Sequence, residues 1–98
     1  MKPLFIPLAT HWFNQFEDGT KTTELRIYGP RWNEKTCIVG RAVTISHGYG
    51  KARRLHGTII GFDISKAASC TPDFIAAFPK IKHMVDVACI QIKLDPQE

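Results

Sequence analysis

Hydrophobic residues fall into short patterned runs separated by glycine, proline and charge. Leu4 to Leu8 reads as a first short strand or extended edge, bounded by Pro3 and Pro7. Trp12, Phe13 and Phe16 then recur at helical spacing. A helix is expected from about His11 to Glu17, capped by Thr10 and ended by Asp18-Gly19. Thr22 to Tyr28 reads as a strand broken by Gly29-Pro30, and Pro30 to Gly40 as a loop. Arg41 to His47 alternates, with Val43, Ile45 and His47 against Ala42, Thr44 and Ser46. Gly48-Tyr49-Gly50 reads as a turn. Arg54 to Ile64 is a strand rich in Ile, and its Gly57 and Gly61 suit a bend. Thr71 and Pro72 open a short helix running to about Phe78. In the last strand, Asp86 to Leu94, the residues Val87, Cys89, Gln91 and Lys93 face one way. Ala88, Ile90, Ile92 and Leu94 face the other.

The pattern is an α+β chain of about five strands and two short helices. Short connections and interspersed glycines favour a small, barrel-like sheet. The pattern alone does not separate an OB-like from an SH3-like barrel. A length of 98 residues predicts one domain spanning 1–98. A hydrophobic fraction of 44% supports one modest core. No apolar run reaches the ~20 residues that span a bilayer. The segment Met1 to Leu8 is interrupted by two prolines and lacks a small-residue cleavage site, a poor match to a signal peptide. A soluble, cytoplasmic protein without membrane partners is expected.

Charge changes this picture. The chain carries a net +4, unevenly spread. From Gly19 to Arg54 eight basic residues stand against Glu24 and Glu34, whereas the remainder holds five basic and seven acidic residues. Clustered cations favour phosphate-bearing partners, against the alternative of a plain solvated basic face. Cys37, Cys70 and Cys89 form no Cys-x-x-Cys pair, and His11, His47, His56 and His83 have no ligand spacing. Neither a disulfide framework nor a metal site is expected, and nothing calls for a cofactor. Cys89 is expected in the core.

The segment richest in chemistry is Gly19-Thr20-Lys21-Thr22-Thr23-Glu24-Leu25-Arg26, continued by Ile27-Tyr28-Gly29-Pro30-Arg31-Trp32. On a strand, Glu24, Arg26 and Tyr28 share one face, with Lys21 at the turn before it. Charges on one strand face are paired or used. These four side chains are expected to converge on one cleft. Lys21 can serve as a base, and Glu24 can accept from a hydroxyl or an exocyclic amine. Alternatively, Lys21 and Glu24 only pin the turn to the strand.

Gly-x-Lys-x-x-Glu-x-Arg after a short helix resembles the signature of the ASCH domain family, small barrels related to PUA RNA-binding domains. Tyr28-Gly29-Pro30-Arg31-Trp32 and Val39-Gly40-Arg41 leading into a strand are also similar to it. The resemblance runs from about Leu4 to Leu94. It implies a small PUA-like ASCH β-barrel of about five strands with two short helices. It also implies a cationic cleft around Lys21, Glu24 and Arg26 that binds RNA, single-stranded nucleic acid or a modified nucleoside. One bacterial branch of similar size consists of N4-acetylcytidine amidohydrolases. The positions of Lys21 and Arg26 match that branch, but its nucleophilic Thr falls where this chain has Glu24. Its assisting Glu lies near the second helix, where this chain offers Asp73. The departure at Glu24 removes the nucleophile. Thr23 is adjacent but points to the opposite face.

Two further groups complete the candidate set. Tyr28, Arg31 and Trp32 can stack on a base and hold a phosphate, or Trp32 closes one end of the barrel. In the run from Ser46 to Arg54, with Tyr49, Lys51 and Arg53, glycines and cations suit a phosphate clamp or a plain basic hairpin tip. The resulting expectation is an RNA- or nucleotide-binding protein. The alternative is a small amidohydrolase or ribonuclease with Lys21 and Glu24 in acid–base roles. A chemistry-free adaptor has no positive feature in the sequence.

Overall fold

The computed structural model of the protein describes residues 1–51, 53–66 and 85–96. In chain order the elements are β1 (Leu4–Leu8), α1 (Thr10–Glu17), β2 (Thr23–Ile27), β3 (Ala42–His47), β4 (Arg54–Ser65) and β5 (Val87–Leu94). The strands form one curled sheet in the order β1-β3-β4-β5-β2. β1 runs parallel to β3, and the other neighbours are antiparallel. β1 and β2 are therefore the two edges. The result is a small α+β domain with a half-barrel sheet and one short helix among the described residues. The expected second helix, Thr71 to Phe78, and Cys70 and Asp73 lie outside the described residues.

Alternation decides which faces are buried. Leu4, Ile6 and Leu8 of β1 point inward, as do Val43 and Ile45 of β3 and Ala88, Ile90 and Ile92 of β5. Helix α1 covers this surface with Phe13 and Phe16, each 1% exposed. Burying one such side chain fully contributes about 1.5–3 kcal/mol, so this layer dominates stability. Cys37 seals the core from the loop before β3. Cys89 sits instead on the other face of β5, half-buried beside Val87, Leu25 and Ile27. Burial pushes its thiol up, helped by Asp63.

β4 bends where the glycines predict it. Ile59 pairs with Ile92 but Gly61 pairs with Gln91, so Ile60 is an extra, bulged residue and is exposed. The inward face accordingly switches from Leu55 and Ile59 to Phe62. A Cβ on Gly57 would stand 2.6 Å from the backbone oxygen of Lys93. Only glycine lets β5 approach there without a shift of backbone.

Two local expectations are corrected. Thr10 does not cap α1. Ala9 occupies that position without a side-chain cap, and the Thr10 hydroxyl lies 2.7 Å from His47 Nε2 on β3. The signature strand is shorter than expected and ends at Ile27. The helix does end at Asp18-Gly19, with Gly19 at φ 85°, a conformation that glycine adopts without steric cost.

Candidate functional site at the sheet seam

β2 carries alternating residues onto the seam between the two sheet edges. Glu24 is 5% exposed, a nearly buried carboxylate. Arg26, two residues on and therefore on the same face, donates from Nε to Glu24 Oε2 at 2.8 Å. Its Nη2 donates to the Pro7 carbonyl on β1 at 2.7 Å. One guanidinium thus bridges both edges of the open sheet. Lys21, placed by the Gly19 turn, lies 3.8 Å from Glu24 Oε1, a looser pair.

Aromatic rings back both cations. Lys21 Nζ stands 5.2 Å from the Trp12 ring centre and 5.7 Å from that of Phe16. Arg26 lies 4.7 Å above Trp32, and Arg31 shares that ring at 5.4 Å. Trp32 also packs partly against the core. A cavity of about 220 Å³ opens at the seam beside Pro7, Trp12, Lys21, Glu24 and Arg26. Lys21 also borders an adjoining hollow of about 420 Å³ with Trp12, Gln15, Thr20, Thr22 and Thr23.

No protein-family profile and no curated protein matches this chain. The chemistry of the seam has to be read from its own atoms. Two cations against one carboxylate leave one positive charge in a partly enclosed cavity, which favours an anionic or carbonyl-bearing ligand. Glu24 holds one short hydrogen bond and one loose ion pair. A carboxylate has about four acceptor positions, so it retains capacity for a donor. Lys21 likewise keeps donors beyond its loose pair. Among the described residues no group of three or more His, Cys, Asp and Glu stands close enough to hold a metal.

The structure separates the expected site residues into three places. Lys21, Glu24 and Arg26 meet at the seam. Tyr28 does not join them, because the strand has ended and its hydroxyl donates to Glu34. That hydrogen bond, reinforced by partial burial and nearby acids, raises the Tyr28 phenol above its ordinary pKa. The same bond lowers the Glu34 carboxyl. Arg31 is exposed and lies over the Trp32 ring.

Tyr49, Lys51, Arg53 and Arg54 cluster at the β3–β4 tip. Tyr49 is 82% exposed. Arg53 pairs with Glu17 and lies 4.9 Å from the Phe13 ring, and Arg54 lies 5.4 Å from that of Phe5. Ser46 is a correction. It is fully buried and donates to the Gly50 carbonyl at 3.0 Å, so it closes the turn instead of facing a ligand.

Sequence reasoning missed Trp12, Pro7 and the pair Thr10–His47. Trp12 carried a helical-periodicity signal and nothing more. The Pro7 carbonyl has no local signature, since its partner is 19 residues away.

Proposed function

We propose that this protein is an ASCH-like, PUA-related domain that binds RNA and seats one nucleotide at the seam. The observation that carries the reading is the nearly buried Glu24 carboxylate held between Lys21 and Arg26 at the mouth of a cavity. A nucleotide has the matching chemistry. Its phosphate meets the surplus positive charge of Lys21 and Arg26. An exocyclic base amine donates to the remaining acceptor positions of Glu24, and the Trp12 ring offers an apolar wall. The curled five-stranded sheet with a helix against it supports the architecture that the signature implies.

The test is a nuclear magnetic resonance titration of labelled protein with each ribonucleoside monophosphate. Shifts are expected at Lys21, Glu24, Arg26 and the Trp12 indole, and Glu24→Gln should weaken the nucleotides that carry an exocyclic amine. No shifts at these four residues would overturn the reading. The same samples probe hydrolysis. N4-acetylcytidine is expected to stay intact, because a carboxylate at position 24 cannot act as a hydroxyl nucleophile. Deacetylation abolished by Lys21→Ala would replace binding with catalysis, Glu24 then acting as a general base on water.

A further inference from the structure

The outer face of the sheet continues away from the seam along β1. Leu4, Ile6 and Leu8 face the core, so Phe5 and Pro7 face outward. Pro7 borders the seam cavity, and Phe5 lies two residues along the same face, roughly 7 Å away. Cross-strand pairing places Pro7, Ser46 and Arg54 in one row and Phe5, Thr44 and His56 in the next.

The tip folds back over these rows. Ser46 binds the Gly50 carbonyl, which buries Ser46 on the outer face and brings Tyr49 to 6.2 Å from Phe5, centre to centre. Arg54 lies over the other ring of this pair, 5.4 Å from the Phe5 centre. Tyr49, Lys51, Arg54 and His56 are all exposed. An exposed tyrosine beside a second aromatic ring, rimmed by cations, is a platform rather than a lone surface side chain.

Resting on the nucleic-acid reading above, we infer that a single strand of RNA leaves the seam and continues over Phe5, with a following base stacked on Tyr49. Base–aromatic stacking tolerates any base, and the nearby cations hold the backbone. The seam then supplies selectivity for one nucleotide, and the platform supplies affinity for the strand. The basic rim makes an anionic strand the fitting occupant.

Fluorescence anisotropy with labelled oligocytidylate, whose bases carry the exocyclic amine that the seam selects, tests this beside the mononucleotide titration. Tyr49→Ala is expected to weaken the oligonucleotide roughly tenfold or more and to leave mononucleotide shifts at the seam unchanged. Tyr49→Phe, which keeps the ring, is expected to bind within about twofold of the parent, since stacking needs only the ring face. Arg54→Ala should reduce the salt slope by about 0.7. Because Tyr49 is exposed, its replacement does not threaten the fold. Unchanged oligonucleotide affinity in Tyr49→Ala overturns the platform, even where mononucleotides bind the seam. A Tyr49-dependent oligonucleotide with no mononucleotide shifts supports the platform and removes the seam reading. An oligonucleotide that fails to bind at any salt overturns the platform, and it removes the seam reading as well where mononucleotide shifts are also absent.

Discussion

The seam and the β3–β4 tip are built from the same residue types and use them differently. At the seam, the side chains of Lys21, Glu24 and Arg26 are 15%, 7% and 20% exposed, and the carboxylate sits between the cations. At the tip, Arg53 and Glu17 are each 45% exposed, and Arg54 rests on a ring. An exposed pair contributes ~0–1 kcal/mol, whereas removing one partner of a buried pair strands a charge and costs several kcal/mol. The seam charges therefore hold the sheet edges together as well as facing a cavity. The tip charges are cheap to place and cheap to remove, which suits a surface that meets a partner. Charge density along the sequence does not distinguish the two, but burial does.

The largest effect expected from this contrast is on stability. Arg26→Ala removes the strong partner of Glu24 and the donor to the Pro7 carbonyl together. Since Arg26 keeps some solvent contact, the loss is expected at about 2–3 kcal/mol, below the full buried-pair figure. Arg53→Ala should cost under about 1 kcal/mol. Urea unfolding of the two variants measures the difference directly. Equal losses would break the contrast and make the seam an ordinary surface pair.

A smaller effect, of opposite location, is expected in binding. Replacing Arg53 and Arg54 together by Ala should weaken RNA several-fold and flatten the salt dependence by about 1.4, at ~0.7 per phosphate contact on a single strand. Stability should change little. Affinity measured at two salt concentrations separates this from a fold defect. An unchanged slope would move the phosphate contacts away from the tip.

How far such positions could be read in advance follows from how local their causes are. Glu24 and Arg26 share a face because strand geometry has period two, and that holds for as long as the strand does. Tyr28 falls one residue past the end of β2, so the same rule fails for it and a six-residue contact to Glu34 decides its position. The glycines of β4 announced a bend, but the register change at Ile60, which swaps the inward face, depends on pairing with β5. Thr10 had the chemistry of a cap, yet His47, 37 residues on, takes its hydroxyl. Ser46 looked like part of a binding turn until the turn folded back and buried it. Closure of the sheet by Arg26 on the Pro7 carbonyl is the same kind of fact. It joins two edges that no periodicity relates.

The Tyr28–Glu34 hydrogen bond extends the contrast to its weak end, because it is open to solvent like the tip but joins two specific side chains like the seam. Its pH dependence has two limbs of known sign. Glu34 is lowered, first by the Tyr28 hydrogen bond, so its contribution is present above the unfolded carboxyl pKa. That contribution is lost as pH falls through the lower folded value. Tyr28 is raised, first by the same bond, so its contribution is present below the unfolded phenol pKa and is lost as pH rises through the higher folded value. Between the limbs the bond is insensitive to pH. Subtracting the melting temperatures of Tyr28→Phe from those of the parent across pH should therefore give a shallow plateau that falls at both ends. The plateau should be far lower than the Arg26→Ala loss. A difference that falls only on the acid side would mean that ionisation of the Tyr28 phenol does not break the contact, against the alkaline limb. A flat difference would mean that the phenol and carboxylate do not share a proton-dependent contact in solution.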